Sequence, residues 1–345
     1  MAKAAEPQGL AGPSPGSVSS LRHADASRRT DRQRSPGCAV RHGTHLRSLH
    51  FRAAPDRGGE QARRPPGAWQ EVSRTLSLHA LGSQIVIQGE GAEAAACEIE
   101  QAEALLTRFQ ASPLTELNAR GVLRAPPGIL VEAIGHALSV ARETSGLVTP
   151  AVLTALEVAG YAQAIGERRG TAATVLDTSE VVCTPEVIRL AAGLRLDLGG
   201  TAKSWIAERA FTRISGDGFI NAGGDLITRQ SAAFAVEIAH PLGGTPLYLD
   251  CPAGTWGVAT SSTLKRAWEG GHHLIDPRTA RPLESDLIQV TVVANCPTNA
   301  EVLTKLAFLD TGMLDELQGN AQVYAYDRAG QFWIRSWKVW QKMET

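Results

Sequence analysis

An α+β fold is what the sequence predicts for residues 71–345, on three observations. Segments of alternating hydrophobicity and segments of helical period follow one another without the strict strand–helix alternation of a doubly wound parallel sheet. Glycine gathers at the ends of the apolar segments of the second half, where strands must turn. With 345 residues, 43% hydrophobic and 20% charged, the chain exceeds one small module and suits two domains, or one two-lobed domain with a tail.

The tail is residues 1–70. It carries 12 Lys and Arg against 5 Asp and Glu, whereas the remainder carries 22 against 30. Only nine of its residues are Val, Ile, Leu, Met, Phe or Trp, too few to offset the entropy of ordering it, so it is predicted to be a disordered Arg/Ser/Pro-rich extension. A functionless extension or a misplaced start codon is preferred to a nucleic-acid arm. The segment has no interleaved aromatics for base stacking, and the acidic remainder would repel phosphate chains. No apolar run of signal-peptide length precedes residue 80, so Cys38 is not expected to be a lipid-anchor site, and no window reaches the roughly 18 apolar residues of a membrane span. Five cysteines without a CxxC pair indicate neither a disulfide framework nor a thiolate zinc site. A cytoplasmic location is the expectation, with export or membrane association left open should the start codon be misassigned.

From residue 71 the elements read in order. Alternation from Leu76 to Gln88 predicts one half-buried strand, and Ala92 to Phe109 a helix with Ile99, Ala102, Leu105 and Leu106 on one stripe. Ser112-Pro113 begins a short helical turn, since Ser caps well and Pro suits the first helical position. A second long helix covers Leu130 to Thr144, punctuated by Gly146, and Pro150 to Gly160 reads as another, entering a turn at Tyr161. Loop and short strand fill 170–192. The second half then predicts a strand at Arg195 to Leu198, a helix at Thr201 to Ile214, and strands at Gly218 to Asn221, Ala233 to Ala239 and Gly257 to Thr260. A loop from Gly270 to Pro282 follows, then a strand at Ile288 to Ala294, a helix at Asn299 to Leu309, and strands at Ala321 to Tyr326 and Phe332 to Ser336.

Four polar or glycine clusters fall at strand ends, where irregular backbone can approach a ligand. Asp197-Leu198-Gly199-Gly200-Thr201-Ala202-Lys203 sets a carboxylate before a two-glycine turn and a lysine in the first turn of a helix, an arrangement suited to phosphate. A tight strand-to-helix turn would look the same, and the string is neither GxGxxG nor GxxxxGK[ST]. Asn221-Ala222-Gly223-Gly224-Asp225 reads equally as a hairpin turn. Ala259-Thr260-Ser261-Ser262 offers three hydroxyls that donate without adding charge. His272-His273-Leu274-Ile275-Asp276-Pro277-Arg278-Thr279 is the most informative string, because it holds a proton acceptor of near-neutral pKa beside a proline-stiffened turn. Zinc is not expected, since adjacent histidines rarely face one ion.

In this order, and preceded by Ser112-Pro113-Leu114-Thr115-Glu116-Leu117-Asn118 and the Gly146 to Tyr161 run, these strings resemble the ApbE-type FAD:protein FMN transferase family over about residues 76 to 335. The resemblance implies a two-lobed domain over 71–345 with mixed and antiparallel sheets and flanking helices. It also implies a magnesium-dependent enzyme that cleaves the FAD diphosphate, transfers FMN to a Ser or Thr hydroxyl of a target flavoprotein and releases AMP. Carried over by motif, Leu81, Phe109, Gly160, Tyr161, Asp197, Lys203 and Ile275 are expected to contact FAD, and His273 to act as base. Gly200 would lend a carbonyl to Mg²⁺, with Glu301, Thr304 and Lys305 at the other metal positions.

The departures bear on the metal. The family usually has Asp at 301 and Thr at 305, and an ammonium at 305 cannot ligate a cation. That leaves two alternatives: Glu301 holds the metal with the Thr304 hydroxyl, or Lys305 takes the metal's place beside the diphosphate as a point charge. Ser204, Ser262 and Ala280 replace usual glycines, and Thr149 a usual Asp. A left-handed backbone at Ala280 would cost roughly 1–2 kcal/mol. Two further readings stay open: a metal-dependent FAD pyrophosphatase, with water as acceptor, and a non-catalytic FAD-binding protein whose metal site has lapsed.

Overall fold

The computed structural model describes residues 39–42, 52–53, 75–336 and 338–343, all within the unit Pro36–Thr345. Its centre is a nine-stranded sheet: β1 Thr75–Ala80, β2 Ser83–Glu90, β3 Ser215–Ala222, β4 Asp225–Gln230, β5 Gly254–Ser262, β6 Leu287–Ala294, β7 Gln322–Asp327, β8 Phe332–Ser336 and β9 Val339–Lys342. Every strand pairs antiparallel with its neighbour in this series, so the sheet is one meander into which longer segments are inserted. The fold is α+β, as the sequence predicts.

The inserted segments cover both faces of the sheet. Helices α1 Ala92–Leu106, α2 Pro113–Arg120, α3 Gly128–Glu143, α4 Leu153–Ala159 and α5 Ala202–Phe211 lie between β2 and β3, and α6 Pro297–Leu309 and α7 Thr311–Leu317 between β6 and β7. Successive strand residues point to opposite faces, so Ile220 and Ile227 join the core of α1, α3 and α5 while Phe219 and Leu226 face the other way. Val290, Val292, Val323 and Ala325 build a second core beneath α6 and α7. The opposite face is closed by the hairpin Phe234–Ile238 and Leu247–Cys251, whose Val236, Leu249 and Phe234 pack on Trp256, Tyr324 and Phe332. Among the described residues no helix is long and apolar enough to cross a membrane.

The differences from the sequence expectations are local. Leu76 to Gln88 is a hairpin, not one strand. Its two-residue loop puts Leu81 and Gly82 at φ 55° and 65°, and a leucine gives no turn signal; its amide donates to Glu103 Oε1 at 2.6 Å while Arg266 donates to its carbonyl. Arg195 to Leu198 forms no ladder, because the side-chain amide of Asn118 takes the place of a neighbouring strand, accepting from Leu196 N and donating to Leu196 O, both at 2.8 Å. The strand Leu247–Cys251, helix α7 and β9 carried no pattern that sequence reading separated from loop. Within the segment read as a disordered extension, Ala39–His42 and Arg52–Ala53 pair as strands on the outer edges of the Phe234–Cys251 hairpin, whose unpaired backbone groups accept further strands. The rest of 1–70 lies outside the described residues.

The meander fixes where a site can form. The β1–β2 and β3–β4 turns and the long β5–β6 connection all emerge at one end of the sheet. Helix α5 starts at that end, and α6 returns toward it across β5 and β6. Gly257 allows that return: a Cβ there would lie 2.2 Å from Pro297 N.

Candidate active site

These connections enclose a cavity of about 340 Å³. Nine residues singled out from the sequence line it: Phe109, Tyr161, Asp197, Gly200, Lys203, His273, Ile275, Glu301 and Lys305. The other three do not. Leu81 sits in the turn whose next residue, Gly82, lines it; Gly160 backs Tyr161; Thr304 is fully buried behind Ser261, its Oγ1 2.7 Å from the Ser261 hydroxyl.

One wall is aromatic. Phe109 and Tyr161 stand 5.6 Å apart between ring centroids, and Tyr161 and Trp268 6.0 Å apart. The buried guanidinium of Arg108 lies 4.2 Å from the Phe109 ring centre and 4.7 Å from that of Tyr161. The same group donates to the carbonyls of Tyr161 and Ala162 and pairs with Asp197, whose other oxygen accepts from Gly199 N at 2.8 Å. Gly160, at φ 127°, makes room for Trp268: a Cβ would come within 2.6 Å of the indole nitrogen, which donates to Ala159 O. Leu156, Ile275 and Ala280 pack beneath Tyr161.

The floor is ionic. Lys203, in the first turn of α5, pairs with buried Asp225 of the β3–β4 turn. Lys305 Nζ lies 3.5 Å from Glu301 Oε1 and donates to the Glu301 carbonyl at 3.0 Å. Burial pushes the Glu301 carboxyl above the usual carboxylate range, against the pull of Lys305. Lys265 and Arg266 also line the cavity and have no ion-pair partner among the described residues, leaving an excess of positive charge. This pair was not singled out from the sequence, although a basic doublet just past the Ser/Thr run, after Leu264, is the signal that marks it. Arg108 and Trp268 carried no such signal, because which way a lone arginine or indole turns depends on the fold.

His273 is half-buried between wall and floor. Its Nδ1 lies 3.0 Å from the carbonyl of Lys265; a carbonyl only accepts, so Nδ1 carries the hydrogen and Nε2 is left with a free lone pair. Removal from water, and then the charges of Arg266, Lys305, His272 and Lys203, bring its pKa down to about 3. The imidazole is therefore neutral across the physiological range.

A sequence profile of the ApbE family matches residues 75–333, three quarters of the chain. The chain belongs to the ApbE family. Two curated relatives of this ApbE chain, each named FAD:protein FMN transferase, come from Klebsiella pneumoniae (strain 342) and Treponema pallidum (strain Nichols); both are 29% identical to it, over 125 and 150 residues, or 34% and 37% of its length. The matched stretches span 39% and 41% of those relatives. The ApbE protein of Thermotoga maritima superposes with a TM-score of 0.66 at 22% identity, over 75% of this chain and 96% of that one. The flavinyl transferase ApbE of Pseudomonas stutzeri, in its apo form, gives 0.63 at 15%, over 79% and 94%. These two likenesses are of fold.

A magnesium ion among Gly200, Glu301, Thr304 and position 305 does not fit the residues present. The ammonium of Lys305 occupies the carboxylate, and the Thr304 hydroxyl donates to Glu301 O at 2.8 Å. No group of three or more His, Cys, Asp or Glu side chains among the described residues is placed to hold a metal.

Proposed function

We propose that this chain is an FAD:protein FMN transferase, which cleaves the FAD diphosphate, joins FMN to a Ser or Thr hydroxyl of a target flavoprotein and releases AMP. The observation that carries the reading is the meeting, in one cavity, of an aromatic wall, an excess of cations and a neutral imidazole with an open nitrogen. The wall suits a flat, extended ring system, and the cations suit a diphosphate. Phosphoryl transfer asks a protein mainly for positioning and charge neutralisation, which this arrangement supplies.

In the proposed step the acceptor oxygen bonds to the FMN phosphorus as the bond from that phosphorus to the bridging oxygen breaks. AMP leaves with the bridging oxygen and its electron pair, and His273 Nε2 takes the hydroxyl proton. Burial first and the neighbouring cations second make the free imidazole a weak base, and the bound diphosphate offsets the cations' share. Lys203, Lys265 and Arg266 meet the charge of the leaving phosphate.

The test is AMP release from FAD by the full chain, with and without acceptor flavoproteins, together with mass measurement of the acceptor. AMP that depends on acceptor, with FMN left on a Ser or Thr, is the expected result. AMP formed equally without acceptor would assign the hydroxyl's role to water and make the protein a pyrophosphatase. FAD bound without AMP under either condition would leave a binding protein and sink the transferase reading.

A further inference from the structure

Two means exist of neutralising a diphosphate: a divalent ion recruited from solution, or ammonium and guanidinium groups fixed in the protein. The residues at the floor discriminate between them. Glu301 is one turn before Lys305 on α6, so their side chains share a face of that helix. The lysine stem runs beside the α5 entry turn: a Cβ on Gly200 would lie 3.6 Å from Lys305 Cε. Gly200 and the Glu301 carboxylate, two of the expected sides of a metal site, thus flank the Lys305 side chain. Glu301 Oε2 also accepts from Ser204 N at 3.2 Å, and the Thr304 hydroxyl is shared between Ser261 and the Glu301 carbonyl. A divalent ion placed there would face a fixed positive charge within contact distance and find its oxygen donors already engaged. Lys305 nonetheless reaches the cavity, where Lys203, Lys265 and Arg266 line the same floor.

We infer that Lys305 stands in place of the divalent cation: its ammonium, anchored by Glu301, is the charge that meets the diphosphate, so that FAD is held without magnesium. The inference rests on the FAD reading above. Lys305 keeps its protons throughout and changes no bond; it acts as a point charge, and Glu301 is a positioning residue that aims it.

Three measurements on the full chain test it. The first is FAD binding by calorimetry in excess EDTA and again in excess magnesium, for the wild type, Lys305→Thr and Lys305→Arg. The wild-type affinity is expected to be the same in both media. Lys305→Thr is expected to lose about tenfold or more in EDTA and to recover at least part of it with magnesium, whereas Lys305→Arg keeps metal-independent binding. The second is Mn²⁺ binding by electron paramagnetic resonance, where the wild type takes up no ion at this site and Lys305→Thr takes up one. Wild-type affinity that rises tenfold with magnesium, or Mn²⁺ bound by the wild type and displaced by magnesium, overturns the inference. The third repeats the EDTA titration with inorganic diphosphate. Diphosphate bound in a Lys305-dependent way without FAD binding would sink the FAD reading and keep the lysine's role; neither ligand bound in EDTA would sink the lysine's role.

Discussion

The aromatic wall and the ionic floor line one cavity, yet they are held by different means. Tyr161 and the Trp268 behind it are placed through the backbone: Arg108 bonds the carbonyls of Tyr161 and Ala162, the indole bonds Ala159 O, and Gly160 gives way for it. The floor is placed through side chains, by the pairs Lys203–Asp225 and Lys305–Glu301, with Lys265 and Arg266 outside any pair among the described residues. A wall held by backbone bonds fails by unfolding locally when it is altered. A floor held by opposite charges keeps its shape and changes its charge balance instead. Stability and turnover should therefore separate along this line.

The sharpest break is Arg108→Met. The guanidinium is the buried partner of Asp197, so its removal leaves an unpaired carboxylate and two bereft carbonyls, at a cost of about 3–5 kcal/mol. Chemical denaturation should show this loss without FAD present. A loss under about 1 kcal/mol would mean that the wall does not depend on Arg108.

Next in size is His273→Ala, on the other side of the comparison. Removal of a general base lowers turnover by roughly 10²–10⁴-fold, while FAD affinity and the unfolding midpoint should stay close to wild type. Equal losses in turnover and affinity would take the base role away from His273. The pH profile adds a sign. In the free enzyme the imidazole stays neutral down to about 3, so kcat/KM should show no acid limb from this group near neutrality. Bound diphosphate offsets only the share of the depression that comes from the cations, not the larger share from burial, so the acid limb of kcat should lie somewhat above that of kcat/KM and still below neutrality. An acid limb of kcat near neutrality from this group would contradict this electrostatic account.

Gly160→Ala returns to the wall with a smaller effect. The backbone is at φ 127° and a methyl group would meet the Trp268 nitrogen at 2.6 Å, so more than about 1 kcal/mol of stability should be lost. FAD affinity should fall with it, because Tyr161 follows directly. Unchanged affinity would show that Trp268 can move without moving Tyr161.

How much of this was legible beforehand follows the same division. Asp197, Lys203 and His273 stand in compact strings in or beside turns, Glu301 and Lys305 were reached through the family resemblance and lie one turn apart on α6, and all of them reach the cavity. Strings of this kind survive into space because a turn keeps near in space what is near in sequence. The helices other than α7 were also legible; in α1, Ile99, Ala102 and Leu106 repeat with helical period and are buried as that period requires. Arg108 was not legible, because its partners are Asp197, Tyr161 and Ala162, more than fifty residues away in the chain. The Arg195 to Leu198 segment misled for a related reason: it has a strand's composition, but its hydrogen-bond partner is the side chain of Asn118.

The smallest effect belongs to Ala280, which closes the hairpin Ile275–Asp276 and Arg281–Pro282 under the aromatic wall. It adopts φ 55°, the left-handed conformation that the sequence reading anticipated as strained, and its amide donates to Asp276 O at 2.9 Å. Ala280→Gly would relieve roughly 1–2 kcal/mol of backbone strain. Against that stand about 0.8 kcal/mol for the buried methyl and roughly 0.5–1 kcal/mol for the added freedom of the unfolded chain. These nearly cancel, so stability should move by less than about 1 kcal/mol in either direction. The methyl packs with Ile275 and Leu156 beneath Tyr161, so the informative readout is FAD affinity. A fall in affinity at unchanged stability would show that the alanine was kept for the firmness of the wall, and an unchanged affinity that the hairpin holds Ile275 by its backbone alone.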